Sequence, residues 1–272
     1  RYPTRARGRS NMIGASVVLA APAKLTLSLR VTGLRPDGFH LIDAEMVTLE
    51  LADSLTVETS RTGIEIVGAF AGDLAAELAD DLAGDSKLSE NNLVTGALKL
   101  VNRTAHVVIT KNIPSGGGLG GGSADAAAIL RWAGFKDLTV AAKLGADVAF
   151  CMVGGRARVT GIGEIVNPMK KVARKVTLVV PPFRVSTPAV YRAYDELTDR
   201  CRNPLRFSGV NDLEPAAIKV EPRLAEWKKR ISQHAGAEPT LAGSGSTWWL
   251  DGEFADLAAQ LTDATVIVTQ TT

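Results

Sequence analysis

A chain of 272 residues with 46% hydrophobic and 22% charged residues can bury a sizeable core and is not a disordered polymer. Its net charge is +2, and four of the positive charges are arginines among the first twelve residues, so nothing global points to a nucleic-acid partner. Two widely spaced cysteines and three scattered histidines argue against a disulfide scaffold or a metal cluster, and no apolar run approaches the roughly 18–20 residues of a membrane span. A soluble protein of a reducing, cytoplasmic compartment is expected, with no site residue assigned to a metal.

Taken in order, residues 1–13 are read as a tail outside the fold, Arg-rich and unpatterned ahead of Ile13. Ser16–Ala21 reads as a strand, ended by a bend at Pro22-Ala-Lys24, and Leu25, Leu27 and Leu29 alternate with polar residues as a half-buried strand. Leu34–His40 is a turn by its Pro and Asp-Gly. Glu45–Leu51 and Ser54–Glu58 suggest an antiparallel pair turning near Ala52-Asp53, and Ile64–Ile66 a further strand. Asp73–Leu88 is Ala- and Leu-rich, helix or loop, and 91–101 has helical spacing with Asn91 or Asn92 as its cap.

His106–Thr110 is a β-branched strand, Ser123–Trp132 a helix with Ser123 near its N-cap, and Leu138–Leu144 a second, short helical stretch. Arg156–Thr160 and Lys175–Val180 are strands, and Pro181-Pro182 is the best domain joint, dividing the body into 14–180 and 181–272. Thr187–Leu197, Asn211–Ile218, Glu221–Gln233 and Phe254–Thr262 read as helices, Thr265–Thr269 as a last strand. Strands first and helices interleaved later make an α+β chain.

Between the His106–Thr110 strand and the following helix lies Lys111-Asn-Ile-Pro-Ser-Gly-Gly-Gly-Leu-Gly-Gly-Gly-Ser123. Six glycines in seven residues bring no side chains to pack, and each costs about 0.5–1 kcal/mol of backbone freedom relative to Ala. They permit bare N–H groups to face a ligand at the positive end of a helix, which is a phosphate cradle. A Walker loop fails, having no Lys after Gly116. The dinucleotide pattern matches at Gly116, Gly118 and Gly121, but Asp137, at the spacing of the expected acid, does not close a second strand.

The pattern Pro-x-x-x-Gly-Leu-Gly-x-x-Ser-Ala fits at every position and resembles the phosphate loop of the small-molecule kinases that include galactokinase, homoserine kinase and mevalonate kinase. Pro22-Ala-Lys24 and Gly243-Ser-Gly-Ser-Thr247 stand where that superfamily has its other two motifs. Asp37-Gly-Phe-His40 narrows the likeness to the 4-diphosphocytidyl-2-C-methyl-D-erythritol kinase family, together with Asn92-Leu-Val, Gly145-Ala-Asp-Val, Gly161-Ile-Gly-Glu164 and Ser186-Thr-Pro-Ala-Val-Tyr191.

The resemblance implies a two-domain fold, with a mixed or antiparallel N-terminal sheet carrying helices and a ferredoxin-like C-terminal domain. It implies ATP with Mg²⁺, held by Pro114, Ser115, Gly116, Gly117, Gly118, Leu119, Gly120, Gly121, Gly122 and Ser123. Asp147 would be the base for a substrate hydroxyl and Lys24 its cationic partner. Alone, Asp147 reads as a helix-end or turn carboxylate and Lys24 as a solvated strand-end residue. Phe39, His40 and Tyr191 would recognise a cytosine, and Gly243, Ser244 and Gly245 would close on a phosphate. The implied partner is a small cytidyl diphosphate sugar alcohol, bound by a monomer or homodimer. Thr26 replaces the family's usual Asn, and Ala149 stands where Pro is usual. The segment ahead of Gly145 is also shorter than the family usually shows.

Overall fold

The computed structural model describes residues 16–72, 92–198 and 209–272. The N-terminal tail, the Asp73–Leu88 segment, Asn91 as a helix cap and Cys201 lie outside them.

Strands β1 (Val17–Leu34) and β2 (His40–Glu58) form a long antiparallel hairpin around the predicted turn, where the Arg35 N–H donates to the Phe39 carbonyl at 2.8 Å. Pro22-Ala-Lys24 does not end a strand. A register shift between Pro22 and Lys24 bulges β1 instead, and since β2 is its one partner strand among the described residues, the missing N–H of Pro22 falls on an edge. Nor is β1 half-solvated as its alternation suggests, for Lys24 and Thr26 on the polar side are as buried as Leu25 and Leu27.

No turn interrupts β2 at Ala52-Asp53. The two halves are one strand that changes partner, Ile42–Val47 pairing with β5 (Arg156–Gly161) and Ser54–Glu58 with β4 (His106–Thr110). The Asp53 carboxylate is what the chain uses here, accepting from the N–H groups of Asn112 at 2.5 Å and Ile113 at 2.8 Å. β3 (Gly63–Val67) adds in parallel beyond β4, and β6 (Ile165–Met169), which the sequence reading lacks, beyond β5. The sheet is mixed, as the resemblance implies. Helices α1 (Leu93–Leu100), α2 (Gly121–Trp132), α3 (Leu138–Ala141) and α4 (Val148–Val153) accompany it. Asn92 caps α1, its side chain accepting from the Val94 N–H at 2.8 Å.

The second sheet has the order β10 (Thr265–Gln270), β7 (Lys175–Val180), β9 (Trp248–Asp251), β8 (Thr240–Leu241), all antiparallel. Helices α5 (Thr187–Leu197), α6 (Glu214–Val220) and α7 (Arg223–Ala235) separate β7 from β8, and α8 (Leu257–Gln260) separates β9 from β10. That is a ferredoxin-like arrangement, and it needs β7. The division made by the sheets therefore falls ahead of Lys175, not at Pro181-Pro182, because the Pro pair ends a strand of the second unit rather than linking two units.

The units share one core in which Leu29, Val94 and Ile129 join Val190, Leu213 and Trp248. Main-chain bridges from Leu29 to Asn211 and from Leu49 to Thr271 tie the long hairpin to the C-terminal unit. Cys151 is buried within this core, and burial pushes its thiol up to about 12, so it is inert rather than reactive.

Candidate active site

The glycine loop leaves β4 at Lys111 and enters α2 at Gly121. Lys111 is fully buried and is ion-paired to Asp53 of β2 and, at 2.8 Å, to Asp125 in the second turn of α2. Both ends of the loop are thus clamped to the sheet beneath it. Desolvation would depress Lys111, but the two carboxylates outweigh it and hold its pKa up. Burial also pushes Asp125 up to about 7, against the opposing pull of Lys111.

Ser123 is not the cap. Gly120, at φ 70°, turns the chain three residues earlier, so Ser123 falls inside the first turn of α2. Gly120 offers no capping side chain and the first turn holds no acid, so the leading N–H groups keep their donor capacity and the helix end stays positive. The Ser123 hydroxyl faces Gly145, where a Cβ would lie 3.5 Å from it. Pro114 and Leu119 are buried; the Leu119 side chain is core, and only its backbone takes part in the loop.

The other two motifs close on this loop. The Lys24 N–H donates to the Leu119 carbonyl at 3.0 Å, and a Cβ on Gly120 would meet Lys24 Cγ at 2.8 Å. The Thr247 N–H donates to the Gly117 carbonyl at 3.3 Å, and a Cβ on Gly118 would strike the Ala242 carbonyl at 2.4 Å. Gly243 stands where a Cβ would be 3.9 Å from Lys24 Nζ. Ser244 exchanges a hydrogen bond with Thr187 at 2.7 Å, and Gly245 donates to the Ala242 carbonyl at 3.1 Å. Three stretches far apart in sequence meet within one bond's reach of each other.

Asp147 completes the group. It stands in the turn that opens α4, without using its side chain as a cap. The carboxylate turns instead to Lys24, with Oδ2 at 3.0 Å from Nζ. Lys24 is 6% exposed and Asp147 27%, so the ammonium is enclosed while the carboxylate opens to a ligand. Lys24 Nζ also donates to Thr26 Oγ1 at 3.3 Å, so the hydroxyl standing in for the usual Asn does reach the ammonium.

Phe39 stands 57% exposed in the hairpin turn, and the ring contact of Tyr191 is with His40, stacked at 4.7 Å and 28°. Burial first, and then the Asp147 carboxylate, push the Tyr191 phenol up to about 12.

Several residues carry no sequence signal. The Asn211 carboxamide donates to the carbonyls of Leu241 at 2.9 Å and Gly243 at 2.7 Å, fixing the third motif from beneath. The stem of Arg184 lies where a Gly116 Cβ would be, 2.8 Å from its Cδ. A cavity of about 480 Å³ flanks the start of the loop, lined by Phe70, Pro114, Ser115, Phe183 and Arg184 among others. Among the described residues, no group of three or more His, Cys, Asp or Glu side chains is placed to hold a metal alone, and no helix is long and apolar enough to cross a membrane.

Comparison with known proteins agrees with this geometry. The GHMP kinases N terminal domain matches residues 92–155. The 4-diphosphocytidyl-2-C-methyl-D-erythritol kinase of Paracoccus denitrificans is 36% identical over 261 residues, covering 88% of this chain and 87% of that protein. Its namesake from Ruegeria pomeroyi is 35% identical over 84% of this chain and 85% of its own length. A crystal structure of a 4-(cytidine 5'-diphospho)-2C-methyl-D-erythritol kinase superposes with a TM-score of 0.70 at 27% identity, covering 94% of this chain and 99% of that one. The mevalonate kinase of Methanococcus jannaschii, at 13% identity and a TM-score of 0.60, shares the fold. With a glycine loop, a Lys–Asp pair and a second glycine motif brought together on this fold, the chain belongs to the 4-diphosphocytidyl-2-C-methyl-D-erythritol kinase family of GHMP kinases.

Proposed function

We propose that this chain transfers the γ-phosphoryl group of ATP to the 2-hydroxyl of 4-diphosphocytidyl-2-C-methyl-D-erythritol, a step in non-mevalonate isoprenoid precursor synthesis. The observation that carries it is the 3.0 Å Lys24–Asp147 pair seated against the bare glycine loop.

Phosphoryl transfer asks the protein mainly for position and charge. The N–H groups from Ser115 to Ser123 hold the phosphates at the head of α2, and the cavity beside Ser115 is of a size for the nucleoside. Asp147 takes the proton of the acceptor hydroxyl as its oxygen bonds to the γ-phosphorus and ADP leaves. Lys24 holds that carboxylate in place and offsets negative charge between the two substrates. Mg²⁺ fits a site of this kind. Among the described residues there is no carboxylate cage, so phosphate oxygens would supply most of its ligands, with the Ser123 hydroxyl as a further one. When bound, the ion neutralises phosphate charge. Phe39, His40 and Tyr191 form the base-recognising end, and Gly243, Ser244 and Gly245 face the transferred phosphate. The enzyme is taken to work in the cytoplasm as a monomer or homodimer.

An ATP-turnover assay tests the reading, with the cytidyl substrate set against methylerythritol, homoserine and mevalonate. Strong preference for the cytidyl compound is expected. Equal or better turnover of one of the others would reject the assignment.

A further inference from the structure

His40 is tied down on three sides. One face of its ring lies on Tyr191 at 4.7 Å, an edge meets Tyr194 at 6.1 Å and 87°, and Nε2 is 2.7 Å from Asp195 Oδ1. Asp195 projects from α5, the helix that also carries Tyr191 and whose first residue, Thr187, is bonded to the second glycine motif. Both partners of the 2.7 Å contact have side chains only 12% exposed.

An ionised carboxylate can only accept, so a neutral His40 ring must carry its proton on Nε2. Nδ1 is then a bare acceptor. Among the described residues it meets no hydrogen-bond partner, and it is not among the enclosed unpartnered polar atoms, so it remains open to a ligand.

We infer that Asp195 is the positioning residue that makes this enzyme read cytosine rather than uracil. By holding the proton on Nε2, it leaves Nδ1 to accept from the exocyclic amino group of the base. Uracil presents a carbonyl oxygen at that position, so two acceptors would face each other unpaired. The inference rests on the assignment of His40 to base recognition under the proposed function, and adds to it what fixes the direction of that hydrogen bond.

The test compares the cytidyl substrate with its uridyl analogue. The wild-type enzyme should prefer the cytidyl compound, and Asp195→Ala should raise its KM about 10- to 100-fold and narrow the preference by a similar factor. kcat and the KM for ATP should hardly change, which a general loss of structure would not leave intact. Asp195→Asn, whose amide oxygen still accepts, should retain most of the preference. Independently of any variant's folding, ¹⁵N NMR of the wild-type ring, assigned by its loss in His40→Gln, should show Nε2 protonated and Nδ1 bare. A proton on Nδ1, or undiminished preference in Asp195→Ala, overturns the inference alone. A wild-type enzyme indifferent to the base overturns the cytidyl assignment itself.

Discussion

At the scale of single residues, the site depends on charges whose surroundings decide their roles. Lys24 is enclosed and has two acceptors, Asp147 and Thr26. Thr26→Val removes one of them while keeping the shape, so the ammonium loses a neutral hydrogen bond worth about 0.5–1.5 kcal/mol. Steady-state kinetics should show kcat reduced by about 2- to 10-fold with both KM values nearly unchanged. No loss would mean that the hydroxyl does not support the pair.

Asp125 gives a pH prediction. Its carboxyl is raised from near 3.8 to about 7, chiefly by burial. Between those values the folded protein binds a proton that the unfolded chain has released, so this group's contribution is greatest at low pH and declines as pH rises toward about 7. Asp125→Asn removes the titration and leaves Lys111 with one carboxylate. Denaturant unfolding at about pH 5 and about pH 8 should therefore show a smaller drop in stability for Asp125→Asn than for the wild type. An equal drop would show that Asp125 is not the titrating group.

At the scale of elements, the glycine loop is not uniformly intolerant. Gly118 has φ 77° and a Cβ there would lie 2.4 Å from the Ala242 carbonyl, a backbone atom that cannot swing aside. The left-handed backbone costs Ala about 1–2 kcal/mol and the overpacking about 1–3 kcal/mol more, so Gly118→Ala should lower Tm by several degrees and weaken ATP binding. Gly122 lies inside α2, and a Cβ there would make ordinary contact with Leu93 Cδ1 at 3.7 Å. Gly122→Ala should leave Tm unchanged or slightly raised, since Ala is the better helix residue. Calorimetry on the two variants distinguishes these outcomes, and equal losses would contradict the packing described.

The elements also show how far sequence reasoning reaches. β4 is legible because four β-branched residues follow His106, and α5 because Ser186 caps it with Pro188 in the first turn. α4 escapes because six apolar residues carry no helical period and Asp147 spends its side chain on Lys24 instead of on a cap. β6 escapes because it is largely exposed and contains Pro168. Lys111 looks like a solvated strand-end lysine, and only the fold brings Asp53 and Asp125 to it from β2 and α2. The three motifs can be read from the chain; the distances between them cannot.

At the scale of the whole molecule, the proposed site belongs to neither unit alone. Lys24, the glycine loop and Asp147 come from the first sheet and its helices, while Tyr191, Asn211 and the Gly243–Thr247 motif come from the ferredoxin-like unit. The Pro181-Pro182 joint hides this in the sequence, since it looks like a linker yet follows a strand already inside the second sheet. The shared core and the bridges at Leu29 and Leu49 hold the two halves of the site in register. In the proposed mechanism Asp147 removes the acceptor proton while the glycine loop independently holds ATP. It is tested most directly by single-turnover phosphoryl transfer from labelled ATP to the cytidyl substrate, comparing wild type with Asp147→Asn at saturating concentrations. A rate about 10²- to 10⁴-fold lower, with the Kd for ATP within about threefold of wild type, is predicted. A variant that transfers phosphate at nearly the wild-type rate would contradict it.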